Sequence, residues 1–211
     1  MWFFNRRVCV LMLAVAVGAV CLWGCGDDGG NPGGNNGSGN YKSVRIGAKT
    51  WMAENLNIST ANSWCYDNDN SNCVKYGRLY TWEAAKTACP AGWHLPTKAN
   101  WDDLVTAAGG ESFAGKKLKA KSGWGWNYDD DVSGNGTDVY GFSALPGGRR
   151  DADGGFHGAG AGGSWWTATG FEYKYGDRDG AYFRDMSSYE DHAIDKVAVL
   201  EYGFSVRCVG D

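Results

Sequence analysis

Histidine is scarce in this chain, with three in 211 residues, at His94, His157 and His192. Their spacing matches no metal-ligand pattern, and neither HExxH nor GxSxG occurs. The usual zinc-hydrolase and serine-hydrolase signatures are therefore missing. His94 falls within a helix–helix connection and reads as a structural hydrogen-bonder. No CxxC pair occurs, which argues against a zinc module. Positive charge is also short: 20 Lys and Arg face 24 Asp and Glu, a formal net charge of −4. Nucleic acid and anionic lipid both call for a basic surface, so neither suits this chain as a partner. One apolar run exists, residues 8–23, and it is too short and too close to the start for a comfortable membrane span. A glycosidase needs only two carboxylates at a fixed separation, and with 24 acids that class stays open.

What is present begins with a leader. Arg6 and Arg7 precede the apolar run, and Leu22-Trp23-Gly24-Cys25 closes it. This tetrad resembles a bacterial lipobox, a small residue followed by the cysteine that receives lipid, although Trp23 is bulkier than usual. The resemblance implies a signal peptide over 1–24 and lipidation of Cys25. An ordinary cleaved signal and an uncleaved anchor are the alternatives. Cleavage would remove both arginines and take the formal charge from −4 to −6. The expected location is an exported one: the bacterial cell envelope, lipid-anchored, at the outer membrane or cell surface. The lipid would be the sole membrane contact, and several acyl chains hold far better than one. Residues 25–40 comprise Cys25 and a Gly/Asn-rich tether that can bury nothing. Its root-mean-square reach is roughly 20 Å.

The folded domain is expected over 41–211, enough chain for one core. Val44-Arg45-Ile46-Gly47 and Lys49-Thr50-Trp51-Met52 alternate like a hairpin. Cys65 and Cys73 bracket a polar loop. Thr81 caps a first helix over about 82–88, which Pro90 stops. Thr97 caps a second, whose Trp101, Leu104, Val105 and Ala108 form one apolar stripe, and Gly109-Gly110 ends it. Lys116-Lys117-Leu118-Lys119-Ala120-Lys121 reads as a solvated basic face. Residues 140–148 read as a strand ending in a turn, and 154–163 as a glycine-rich loop. Strands are expected at 165–169, 181–186, 197–200 and 203–209, with Phe204, Val206 and Cys208 on one face of the last. The fold class is α+β: two short helices, then mainly antiparallel strands and long loops. Four cysteines remain in the exported part, Cys65, Cys73, Cys89 and Cys208, which implies two disulfides in one of three pairings.

Several segments together resemble the Fibrobacter succinogenes major paralogous domain. They are Trp51-Met52-Ala53-Glu54-Asn55-Leu56, Tyr76-Gly77-Arg78-Leu79-Tyr80-Thr81-Trp82, Cys89-Pro90-Ala91-Gly92-Trp93-His94-Leu95-Pro96-Thr97, Gly141-Phe142-Ser143-Ala144-Leu145-Pro146-Gly147-Gly148, Trp165-Trp166-Thr167-Ala168-Thr169 and Ser205-Val206-Arg207-Cys208-Val209. More distantly, these landmarks resemble the C-type-lectin-like fold and its formylglycine-generating-enzyme branch. That likeness implies a Cys89–Cys208 bond and leaves Cys65–Cys73. The larger loop would stabilise by roughly 5 kcal/mol and the smaller by roughly 2.5 kcal/mol in a chain-entropy treatment. The family usually has Glu where Asn100 stands, so the capping box with Thr97 is expected to be weak and the helix start to fray. Formylglycine-generating activity would need a second reactive cysteine near the C-terminus, and only Cys208 is there. No activity is implied by the resemblance; it implies an exported module.

Aromatics carry the binding expectation. Trp124, Trp126 and Tyr128 are two apart, so a strand would put all three on one face, with Asn127, Asp129 and Asp130 for polar contacts. Tyr173 and Tyr175 repeat the spacing. Sugar rings stack on such faces while acids and amides bond the hydroxyls. The alternative is that Trp124 and Trp126 fill the core. Trp165 and Trp166 are expected in the core, at least one of them facing inward. Asp129, Asp131 and Ser133 with Gly134 mimic the start of a calcium loop, though Tyr140 stands where its closing Glu belongs; Asp67, Asp69 and Ser71 are a similar fragment. No other cofactor is expected. The resulting reading is a surface-anchored, non-catalytic binding lipoprotein for polysaccharide or another extracellular ligand. A structural or protein-interaction module of the envelope is the alternative, and an extracellular hydrolase a third.

Overall fold

A computed structural model describes residues 41–127, 132–172 and 179–210, with Trp126 and Asn127 described by backbone alone. The hairpin is present as β1 (Ser43–Ile46) and β2 (Lys49–Met52), turning through Gly47 at φ +61°. Then come β3 (Ser63–Trp64), a 3-10 turn at Tyr66–Asn68, α1 (Asn70–Tyr76), β4 (Leu79–Tyr80) and α2 (Trp82–Ala88). The middle of the chain holds β5 (Trp93–His94), α3 (Lys98–Ala107), α4 (Glu111–Leu118), β6 (Trp126–Asn127) and β7 (Val132–Ser133). Strands fill the rest: β8 (Gly147–Arg150), β9 (Phe156–Ala159), β10 (Gly162–Phe171), β11 (Gly180–Ser187), β12 (Ile194–Val199), β13 (Phe204–Ser205) and β14 (Val209–Gly210).

The order β1-β2-β14-β5 makes a small sheet, and β12-β11-β10-β13-β4-β3 a larger one, on which β8 pairs with β10 and with β9. Strand β10 separates two cores. Adjacent strand residues face opposite ways, and here both faces are covered. Trp165 packs with Trp51, Trp101 and Phe142, the Trp51 and Trp101 rings 4.9 Å apart. Trp166 packs with Tyr80, Phe183 and Phe204, its ring 4.5 Å from that of Phe204. Both indoles are fully buried, and each N–H is satisfied: Trp165 donates to Asn55 Oδ1 (2.9 Å) and Trp166 to the Tyr80 carbonyl (2.8 Å).

The two expected helices stand as α2 and α3, but four occur among the described residues. Helix α1 starts inside the supposed polar loop and runs on past Cys73 to Tyr76. Asp69 starts it by accepting the Ser71 amide at 2.8 Å, and Cys73 and Tyr76, one turn apart, are its buried side. Helix α4 hid behind Gly110 and a run of lysines. It approaches the 191–192 backbone so closely that a Cβ on Gly115 would collide with the His192 carbonyl. The basic face is not wholly solvated. Lys119 is 1% exposed, its Nζ donating to the Ser187 and Glu190 carbonyls at 2.9 and 2.8 Å.

Other expectations are corrected locally. The capping box at the start of α3 is complete: Asn100 Oδ1 accepts the Thr97 amide (3.0 Å) while Thr97 Oγ1 accepts the Asn100 amide (3.2 Å). An amide on the shorter side chain completes the box that Glu usually closes. Residues 140–146 are not strand, because Asp138 bonds Ser143 through both its amide (2.8 Å) and hydroxyl (2.7 Å), with both residues at positive φ. The glycine-rich loop contains β9, paired to β8. The last strand is split. Phe204, Val206 and Cys208 do share the second core, but β13 pairs with β10 and β4 whereas β14 pairs with β2 and β5. Both disulfides, Cys65–Cys73 and Cys89–Cys208, are formed.

Candidate functional site

Thr81 sits in extended geometry and its hydroxyl accepts the Ala84 amide at 3.4 Å, which fixes where α2 begins. Trp82 and Glu83 thereby occupy the first turn. Trp82 is held on both sides. Its amide donates to the Leu200 carbonyl (3.1 Å), and its indole N–H donates to the Thr167 carbonyl of β10 (2.8 Å). The ring edge lies over Gly170, where a Cβ would be 3.8 Å away. Across the β10–β11 ladder, Phe171 pairs with Gly180, so Phe171 and Tyr182 fall on the same face. Their rings meet edge to face, 5.3 Å apart at 87°.

Trp82, Phe171 and Tyr182 thus border one cleft of about 610 Å³, together with Glu83, Glu172, Asp179 and Leu200. That volume is within the range of small-molecule sites. The three aromatics are half-buried and the three acids exposed. Lys86 lies 4.2 Å from the Trp82 ring centroid and 2.8 Å from Glu83, so it shields part of one ring face while holding one of the acids. The arrangement offers flat apolar surface beside hydrogen-bond acceptors. It suits a ligand with both ring faces and hydroxyl groups.

The residues expected to bind ligand fare differently. Trp124 is a core residue, 4% exposed, and its indole donates to the Ala144 carbonyl at 2.9 Å. It offers no face to a ligand, and this corrects the expectation of a shared exposed stripe. Trp126 and Asn127 form β6, opposite Ser133 and Val132 of β7. Their side chains lie outside the described residues, as do Tyr128, Asp129, Asp130, Asp131, Tyr173 and Tyr175. Tyr173 and Tyr175 fall between Glu172 and Asp179, two residues that border the cleft. Asp69, from the second calcium-like fragment, instead caps α1, and the Ser71 amide and hydroxyl hold its carboxyl below the usual carboxylate range. Among the described residues, no three His, Cys, Asp or Glu side chains are grouped to hold a metal ion.

The cleft was not foreseen. Trp82 reads as a helix-face residue with Ala85 and Cys89, and Tyr182 as one of several strand aromatics. The available signal was alternation. With Ala181 and Phe183 facing the second core, Tyr182 had to face the other way.

No helix among the described residues is long and apolar enough to cross a membrane. No curated protein and no solved structure matches the chain. One family does, through a profile that spans nearly all of the described fold: over residues 44–210 the chain belongs to the Fibrobacter succinogenes major domain family.

Proposed function

We propose that this protein is a surface-anchored, non-catalytic binding lipoprotein whose aromatic cleft holds polysaccharide. One observation carries the reading: three aromatic side chains, one of them hydrogen-bonded in place at both backbone and indole, meet three exposed acids around a single cleft. A sugar ring would stack on the indole or phenol while Glu83, Glu172 and Asp179 accept from its hydroxyls. Lipid on Cys25, following the Leu22-Trp23-Gly24 tetrad, would hold the domain at the bacterial envelope, and the tether over 25–40 would give it reach. The Cys89–Cys208 bond joins the C-terminal end of α2 to the residue that precedes β14, which supports a C-type-lectin-like arrangement. Calcium at Asp129 and Asp131 is part of the same proposal.

A structural or protein-interaction role is the second reading. Pull-down of the full-length protein against cellulose and xylan, with calcium and with a chelator, separates the two. Retention lost in Trp82→Ala supports the cleft, and loss with chelator alone supports the calcium site. Absence of retention on every polysaccharide moves the weight to an envelope protein. Release of reducing sugar, abolished by one Glu or Asp substitution, would replace both readings with a hydrolase.

A further inference from the structure

The face of the large sheet that carries Trp166, Phe183 and Phe204 continues along the same strands to polar residues. Ser164 of β10 stands directly opposite Asp185 of β11, and Lys196 of β12 is opposite Phe183. The three are joined in a row. Ser164 Oγ donates to Asp185 Oδ1 at 2.7 Å, and Lys196 Nζ donates to Asp185 Oδ2 at 2.6 Å. Beside this row rises the β8–β9 hairpin, which places Arg149 directly across from His157. Asp151 steadies both, 2.7 Å from Arg149 Nε and 3.3 Å from His157 Nε2. Two adjoining cavities of about 260 and 480 Å³ share Arg149, Ser164, Asp185 and Lys196, so they form one continuous groove. Tyr202 borders its far end.

The charge of this groove runs against that of the chain. Among its described lining residues, Arg149 and Lys196 are cationic and Asp185 is the one acid, on a protein of formal charge −4. Asp151, the partner of Arg149 and His157, does not line it. Arg149 and Lys196 are both about half exposed, 46 and 48%. A ligand carboxylate would find two cationic donors there, and charge-assisted hydrogen bonds are the strong ones. Asp185 and Ser164 add acceptors that a ligand hydroxyl can use. Each unit of a uronic acid chain carries ring hydroxyls beside its carboxylate, whereas the acidic side chains of a peptide carry none.

We infer that this groove is a second ligand site, distinct from the aromatic cleft, and that it takes a carboxylate-bearing saccharide such as a uronic acid chain. Arg149 and Lys196 engage the carboxylate, Asp185 and Ser164 bond the ring hydroxyls, and Tyr202 flanks the ring.

The test uses full-length protein with three probes: polygalacturonate, its methyl ester and cellulose, all with a chelator present. The expected result is binding to polygalacturonate that the methyl ester does not reproduce. Arg149→Gln and Lys196→Gln should each weaken it about ten-fold, and Lys121→Gln, at an exposed lysine that borders neither the groove nor the aromatic cleft, should leave it unchanged. Binding should also fall steeply between about 0.1 M and about 1 M salt, as the screening length shortens from about 10 Å to about 3 Å. Unaltered thermal unfolding of both variants shows that the fold is kept. Equal binding to acid and ester, or indifference to both substitutions, overturns the assignment. So does complete absence of polygalacturonate binding, whatever cellulose does through the other cleft. Displacement by polyglutamate as effective as by free galacturonate chains would assign the groove to an acidic protein and overturn the saccharide reading.

Discussion

Arg207 donates two hydrogen bonds to one oxygen of Asn55, from Nε at 3.1 Å and from Nη2 at 2.7 Å, across 152 positions of sequence. Both residues are buried, Arg207 completely. The same Asn55 oxygen accepts from Trp165, and the Asn55 amide donates to the Tyr76 carbonyl at 2.9 Å. Arg207 also donates to the carbonyls of Met52 and Phe142. A buried guanidinium has therefore been placed where the chain crosses from the large sheet to the small one. Burial pushes its pKa down, and the ring of oxygens is what makes the cation tolerable there.

Asn55→Ala should accordingly cost about 3–5 kcal/mol, because it strands a buried charge and an indole N–H. Denaturant unfolding of the full-length protein measures it. A loss below about 1 kcal/mol would mean that the remaining carbonyls suffice.

The two disulfides should contribute unequally. Replacing Cys89 and Cys208 by Ala opens a 119-residue separation and should cost about 5 kcal/mol; the same change at Cys65 and Cys73, eight apart, should cost about half of that. Equal losses would place the stabilisation in the folded-state packing and not in the unfolded chain.

Most of this scaffold was legible in sequence because its signals are local. Thr81 and Thr97 cap helices, Pro90 follows one, and Trp165 and Trp166 sit in a strand. What escaped depended on contacts remote in sequence. Lys119 looks like a surface lysine until the 187–190 carbonyls close over it. Trp124 looks like a sugar platform until Ala144 takes its N–H. The aromatic cleft joins Trp82 to Phe171 and Tyr182, about ninety and about a hundred positions on, and the second groove needs three strands in register with the β8–β9 hairpin beside them. No spacing rule connects such residues.

Lys119 makes stability depend on pH. Burial, with the nearby Lys116 charge, lowers its pKa from 10.5 to about 8, against an opposing pull from Asp191. Below pH 8 the amine is charged in folded and unfolded chain alike, so its contribution is level. Between about pH 8 and pH 10 the unfolded chain holds a proton that the folded one has released. Stability then rises with pH, by at most about 1.4 kcal/mol per unit. Lys119→Gln should remove this rise. Urea midpoints of both proteins across that window decide it, and parallel curves would refute the assignment. Tyr80, whose pKa burial raises, acts in the opposite direction above pH 10, which is why the comparison stops there.

The most direct measurement is the retention of full-length protein on insoluble polysaccharide, for the native chain, Trp82→Ala, Tyr182→Ala and Trp124→Phe. The cleft account predicts that the native chain is retained on at least one polymer. It predicts a loss of about five- to ten-fold in the first two variants, from stacking worth about 1 kcal/mol. Trp124→Phe should lose stability and keep retention. Retention indifferent to Trp82 and Tyr182, or lost through Trp124 while the fold is intact, would contradict it.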